Sequence, residues 1–293
     1  TGDRRVVSAP TSVGSGPDLR TAVDVELDAE RGEVLFLDRV FARGGLLALD
    51  LETGRRRIIS DRQNGSGPSL RGPERLALDG RRVFVTDRNE DAVFEIDLGT
   101  GARSVVTDRT TGAGPALSAP TGIAIDPGRN LAFVGDRTLG AIFSVDLANG
   151  QRARITGTGG ALFAPYDVVV DGARLLVAEA GPREAILAID IATGAETVIS
   201  SSDVSSGRGA GPNLEPLSLD LDPAGGQAWS IDEQTGALLR IDLSTGQRTL
   251  VSGVTGGASA GAGPPVLEPE AAAVDLPRRR AFAIADDLGY DAV

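Results

Sequence analysis

"DLETGRRRIISDRQNGSGPSLRGPERLALD" runs from Asp50 to Asp79 and returns with changes as "DLGTGARSVVTDRTTGAGPALSAPTGIAID" from Asp97 to Asp126. A period of 40–50 residues points to a repeat architecture. One marker tracks it: Asp, an aliphatic residue, any residue, Thr or Asn, then Gly. It occurs at Asp50–Gly54, Asp97–Gly101, Asp146–Gly150, Asp190–Gly194 and Asp242–Gly246, at spacings of 47, 49, 44 and 52 residues. The chain opens on Thr1-Gly2 and "DRRVVS", which matches the "TGRRRIIS" that follows Asp50 and Glu52. It therefore begins in the last quarter of a repeat, and its 293 residues hold about six.

Each repeat reads as four short strands rich in Val, Ile, Leu and Phe, bounded by turn residues. The second repeat shows them as Arg75–Asp79, Arg82–Asp87, Ala92–Leu98 and Ala102–Asp108. Four strands per 40–50 residues is the pattern of a propeller blade. A four-stranded sheet cannot bury two apolar faces alone, but sheets stacked around an axis bury each other's. The expectation is an all-β, six-bladed β-propeller: one domain over residues 1–293, four antiparallel strands per blade. The N-terminal segment Arg4–Ser8 is expected to complete the last blade beside the strands that end at Val293. Nothing lies between Val293 and Thr1 where the second repeat has six residues between Val93 and Thr100. The last blade is thus expected to be short, and the chain to be a processed or excised piece.

Composition narrows the chemistry. Net charge is −12, and all 29 basic residues are Arg. Without a basic stripe, nucleic acid is not an expected partner. No apolar run is long enough for a membrane span. With no Cys and no His, thiol chemistry, Ser-His-Asp catalysis and the usual zinc sites are excluded. Catalysis would have to run on Asp, Glu, Arg, Tyr, Ser or a hard metal.

The Asp-x-x-Thr-Gly marker reads as a hairpin turn between third and fourth strands. Gly-x-Gly-Pro appears at Gly14, Gly65, Gly112, Gly209 and Gly261, and the fourth repeat lacks it. A strand follows it where a phosphate cradle needs a helix, so it reads as the crossing between blades. The shorter "TGTGGALFAP" (Thr156–Pro165) of the fourth repeat is expected to notch the rim. Asp38, Asp87, Asp136, Glu179, Asp232 and Asp286 end the second strands and read as hairpin caps, with Arg39, Arg88 and Arg137 following three of them. Trp229 is expected in the core, and "DDLGYD" (Asp286–Asp291) is expected to form a hairpin turn rather than a calcium loop.

Positions that break the repeat's symmetry are better site candidates. With the inner strands aligned on their prolines, the next two columns hold Asp24, Glu74, Arg75, Thr121, Tyr166, Asp167 and Glu270. These mark the mouth of the central channel and are the candidate ligand-binding set. Glu26 and Asp220 lie deeper, in a column otherwise Ala or Val, and are candidate metal ligands. Buried carboxylates need pairing, hydrogen bonds or an ion, and Ca²⁺ suits such oxygen donors. A hydrated, salt-bridged channel, with Arg75 against Asp24 or Glu74, is the plainer alternative.

"SAPTGIAIDPGRNLAFVGDRTLGAIFSVDLANGQ" (Ser118–Gln151) resembles the NHL and TolB-like six-bladed propellers, and the likeness extends over the chain at repeat level. The resemblance implies the fold; it does not single out an activity. The gluconolactonase-like relatives imply a Glu, an Asn and an Asp around one divalent metal, with Glu74 or Glu270 as the Glu and Asp167 as the Asp. Thr121 stands where the Asn would be, which argues against lactonase activity; a strictosidine-synthase-like reading would rest on one mouth Glu. Three readings remain open. The first is a non-enzymatic extracellular or periplasmic scaffold binding a small ligand, cation or protein at an acidic top face. The second is a Ca²⁺-dependent lactonase or hydrolase. The third is an assembly subunit or homo-oligomer that exchanges a strand at the last blade.

Overall fold

A computed structural model of the chain describes all residues except 1, 9–13, 20, 40–43, 157–161, 223, 288–289 and 293, and no side chain of residues 204, 285–287 and 290–292. Its ordered elements are strands, with one 3-10 turn at Val204–Ser206. The strands form six antiparallel sheets, four of them with four strands each. In the second sheet these are Pro73–Asp79, Arg82–Asp87, Ala92–Asp97 and Arg103–Thr107, in chain order from the inside out. The innermost strands of the six sheets are Ala22–Asp28, Pro73–Asp79, Pro120–Asp126, Pro165–Asp171, Asp220–Leu221 and Pro269–Asp275. Each approaches the next, and the last approaches the first, around a central axis. This is a β-propeller.

Apolar packing follows the same circuit. Leu35, Leu37 and Leu46 of the first sheet pack with Val83, Val85 and Phe94 of the second. Phe84 of the second packs with Val134 and Phe143 of the third, and Phe133 of the third with Leu175 and Val177 of the fourth. Leu176 and Ile186 of the fourth meet Leu239 and Ile241 of the fifth. Phe282 and Ile284 of the sixth meet Val34 and Phe36 of the first, with Val7 against them. Second strands are covered on both faces, so Glu33–Asp38 and Arg82–Asp87 read as continuous apolar runs rather than alternating ones. The thinnest joint is between fifth and sixth sheets, where only Leu217, Ile231 and Ala272 form the buried cluster.

The turn marker behaves as its chemistry requires. Asp50 Oδ1 accepts the main-chain N–H of Glu52 and Thr53 and the Thr53 hydroxyl, and Asp97 does the same with Gly99 and Thr100. The capping acids are also engaged. Asp87 accepts N–H groups from Arg71, Gly72, Asn89 and Glu90, Asp136 from Ser118 and Leu139, and Glu179 from Phe163. Each ties the loop entering its sheet to the hairpin leaving it. The side chain of Asp286 lies outside the described residues.

The Gly-x-Gly-Pro element has a partner that the sequence reading did not pick out: the Arg two residues after five of the six Thr-Gly or Asn-Gly turns. Arg103 donates Nε–H to Pro68 O at 2.6 Å and further N–H groups to the Ser60 hydroxyl, Asp61 O and Asn64 O. Its main-chain N–H reaches Ser66 O at 2.8 Å. Arg56, Arg152 and Arg248 repeat the contacts with Pro17, Pro115 and Pro212, and with the hydroxyls of Ser8, Thr107 and Ser200. Gly67 lies so close that a Cβ would stand 2.0 Å from Arg103 O, at a φ of +93°, so only glycine fits. These clasps run from the end of one sheet's outer strand to the start of the next.

Arg4 makes the same clasp, to Pro264 O at 2.8 Å and the Ser252 hydroxyl at 2.9 Å, with its N–H on Ala262 O. Ser8 in turn receives Arg56 of the first sheet. Residues 2–8 therefore occupy the outer position between fifth and first sheets, although the described part of that segment is not in strand conformation. The expected fourth strand is not formed among the described residues: the last sheet ends at Tyr290–Ala292, which pairs with Ala285–Asp287, and residues 2–8 are held instead through the Arg4 clasp. The fourth sheet lacks both halves of the clasp: Glu196 replaces the Arg and lies 3.7 Å from Arg183.

Other departures have local causes. Inner strands begin at their prolines, two residues earlier than the apolar pattern suggests, because Pro is tolerated at a strand's first position. The fifth sheet has five strands: Arg248–Thr255 runs long and folds back through Gly256-Gly257 into Ala258–Ala260. Its inner strand shrinks to Asp220–Leu221. The sixth sheet has three strands, the last being Tyr290–Ala292. Asp286 pairs with Asp291 and Asp287 with Tyr290, as the arms of a hairpin. Trp229 is half-buried and belongs to no core cluster, contrary to expectation; its strand faces the thin fifth–sixth joint, and its indole N–H is buried without a partner.

Candidate functional site: the axial mouth

The mouth gathers the residues expected there, but commits them to one another. Asp24 accepts the main-chain N–H of Leu76 on the neighbouring inner strand at 2.7 Å. Asp167 does the same for Leu219, and Asp220 for Val274, both at 2.7 Å. The second oxygens of Asp167 and Asp220 accept Val168 and Leu221 N–H. Three symmetry-breaking carboxylates thus act as rivets between neighbouring inner strands. Thr121 adds another, its hydroxyl donating to Pro165 O at 2.5 Å.

Arg75 reaches across the axis. It donates to Val23 O at 2.8 Å, Glu74 O at 3.0 Å and Leu217 O at 3.4 Å, linking first, second and fifth sheets. Its Nε–H is buried without a hydrogen-bond partner. Glu74 lies between Arg39 at 2.5 Å and Arg88 at 2.9 Å, and the Arg137 guanidinium covers the Tyr166 ring at 5.2 Å. The expected acidic mouth is therefore a lattice of mixed charge. Glu270 is half-buried nearby.

Burial governs the electrostatics. It raises Asp24 to about 6, against the opposing pull of Arg75 and the Leu76 N–H. Asp167 is raised to about 7 by burial and by the Asp24 charge. Glu26 is pushed well above the carboxylate range by burial, then by Asp220, Asp24 and Asp167. Asp220 and Glu270 are raised chiefly by burial. Burial lowers Arg75, but Asp24, Asp167, Glu74 and Glu270 outweigh it, so its proton is held more tightly than usual. Glu26 and Asp220 keep some solvent contact despite the protein around them, as groups lining a narrow wet channel would.

A carboxylate with a raised pKa favours the fold while protonated and disfavours it once charged. Stability is therefore expected to rise as pH falls from 8 to 5, by about 3 kcal/mol for the coupled Asp24–Asp167 pair at 1.36 kcal/mol per unit. Carboxylates lowered by turn and arginine contacts, such as Asp61 and Asp275, reverse the trend only below about pH 4. Urea midpoints at pH 8, 6.5 and 5 read this directly. Asp167→Asn should flatten the slope; an unchanged slope in that variant would refute the assignment.

Among the described residues, no three acidic side chains stand close enough together to hold a metal. Both oxygens of Asp167 and Asp220 face main-chain N–H groups, and Glu74 faces two guanidiniums. The Arg clasps carried a signal in the sequence: Arg at a fixed offset from the Thr-Gly or Asn-Gly turn, absent from the one repeat that also lacks Gly-x-Gly-Pro.

No family model and no curated protein matches the chain. Among the described residues, no helix is long and apolar enough to cross a membrane. A chain from a solved nidogen/laminin complex is similar at a TM-score of 0.62 and 19% identity, over 79% of each chain. A chain of hydrazine synthase from Kuenenia stuttgartiensis is similar at a TM-score of 0.48 and 19% identity, over 68% of this chain and 53% of that one. What the first likeness establishes is the shared architecture, a β-propeller.

Proposed function

We propose that the chain is an NHL/TolB-like propeller of six blades, residues 2–8 completing the sixth, that serves outside the cytoplasm as a non-enzymatic scaffold for a protein partner. The observation that carries the binding reading is Phe163, 57% exposed yet fixed in place. Its N–H is held by Glu179 Oε1 at 2.7 Å, and Arg183 stands over its ring at 5.7 Å. The neighbouring Leu162 N–H is tied to Gly140 O at 3.0 Å, beside Leu139, which is 39% exposed. An aromatic and an aliphatic side chain held out to solvent beside Arg183 form the kind of anchor that interfaces favour. The binding role of the similar chain's own complex, nidogen with laminin, agrees with a protein partner here. A hydrolase has less support, because the mouth carboxylates already serve the main chain.

A photo-crosslinking residue at position 163 should give a discrete protein adduct that the same residue at exposed position 225 does not. Leu139→Ser with Phe163→Ser should weaken capture of that partner about tenfold or more and leave the melting temperature unchanged. Equal adducts from both positions would refute the assignment. So would calcium-stimulated lactone hydrolysis abolished by Asp167→Asn.

A further inference from the structure

A second site lies away from Phe163, between the first and second sheets. A cavity of about 350 Å³ is lined there by Arg39, Arg62, Leu70, Arg71, Asn89 and Glu90, among others. That volume is at the small end of small-molecule sites. The wall carries three guanidiniums against one carboxylate, in a chain whose net charge is −12. Arg71 is oriented by Glu90 at 2.9 Å, and Asn89 Nδ2 donates to Arg71 O at 3.0 Å. Arg39 is fixed through Pro73 O and Glu74. Arg62 is exposed and has no ion-pair partner among the described residues. The buried Leu70 and the ring of Pro73 supply an apolar surface beside the charges.

We propose that this cavity binds a small organic oxyanion, its acid group held by Arg62, Arg71 and Arg39 and its apolar body against Leu70 and Pro73. Guanidinium forks pair with carboxylate or phosphate through two parallel N–H donors, which a single ammonium cannot reproduce. Burial is the main cause that lowers the proton affinity of Arg39; Glu74 opposes it, and Arg88 adds to it. The site is independent of the protein-binding reading.

Phenyl phosphate, phenylacetate, inorganic phosphate and neutral benzyl alcohol, titrated calorimetrically into the full chain at low salt, test it. Phenyl phosphate or phenylacetate should bind with a Kd below about 1 mM, which corresponds to roughly 4 kcal/mol. Inorganic phosphate should bind more weakly, and benzyl alcohol should not bind. Arg62→Gln and Arg71→Gln change exposed side chains and should each weaken binding at least fivefold, whereas Arg137→Gln should not. Binding of benzyl alcohol as tight as phenyl phosphate, wild-type affinity in both Gln variants, or no anion binding up to 10 mM (roughly 2.7 kcal/mol) would each overturn the proposal.

Discussion

Arg75→Met is expected to cost about 3–5 kcal/mol of stability at pH 7.5, the range for stranding buried charge by removing its partner. Arg75 is 5% exposed and is the cation among Asp24, Asp167, Glu74 and Glu270. Met fills similar space, so little of the loss comes from a cavity. The loss comes from unopposed negative charge at the axis and from the carbonyls of Val23 and Leu217 left without a donor. The deficit should shrink by more than half at pH 5, where Asp24 and Asp167 are protonated. Asp24→Asn combined with Arg75→Met should recover part of it at pH 7.5 while keeping an acceptor for Leu76. Chemical denaturation of the wild type, the two single variants and the double variant at both pH values measures this. A deficit independent of pH would mean that Arg75 acts by packing alone.

The clasp gives the second large effect. Arg103→Ala is expected to cost about 2–4 kcal/mol, because several carbonyls around Gly67–Pro68 and Asp61 lose a charged donor. For a chain of this size that lowers the melting temperature by roughly 5–15 °C. Arg103→Lys should rescue little, since one ammonium cannot reach Pro68 O, Asp61 O and the Ser60 hydroxyl together. Arg4→Ala should lose a comparable amount, which tests whether the N-terminal segment is a working member of the ring. Thermal melts of the Arg4→Ala and Arg103→Ala variants, with Glu196→Arg as a control, decide it. The control should gain nothing, because the loop before its sheet has no Gly-x-Gly-Pro to receive an Arg. Full stability in the Arg4 variant alone would break the circuit at residues 2–8.

Much of this architecture was legible in the sequence because period, turn chemistry and apolar runs all agree. The Thr-Gly marker, the sheet-by-sheet strand order and the capping role of Asp87 and Asp136 follow from local rules, and local rules are visible in one sequence. What escaped was relational. Asp24, Arg75 and Asp167 could be placed at the mouth, but not their targets, because Leu76 N–H and Leu217 O are main-chain groups common to any strand. The partner of Gly-x-Gly-Pro was missed for the opposite reason: five arginines in register read as ordinary surface charge in a chain with many. The extra strand at Ala258–Ala260 and the shrunken Asp220–Leu221 depend on the thin packing beside Trp229, which no periodicity reports.

The missing clasp at Glu196 gives the described circumference a single unfastened buckle. Elsewhere an arginine cinches neighbouring sheets at the periphery; between the third and fourth no such clasp is present among the described residues, and the Thr121–Pro165 and Arg129–Gly172 hydrogen bonds and the apolar interior around Phe133 and Val177 hold the joint. Phe163 stands beside it, so whatever grips the propeller there takes hold at the joint that, among the described residues, closes without an arginine.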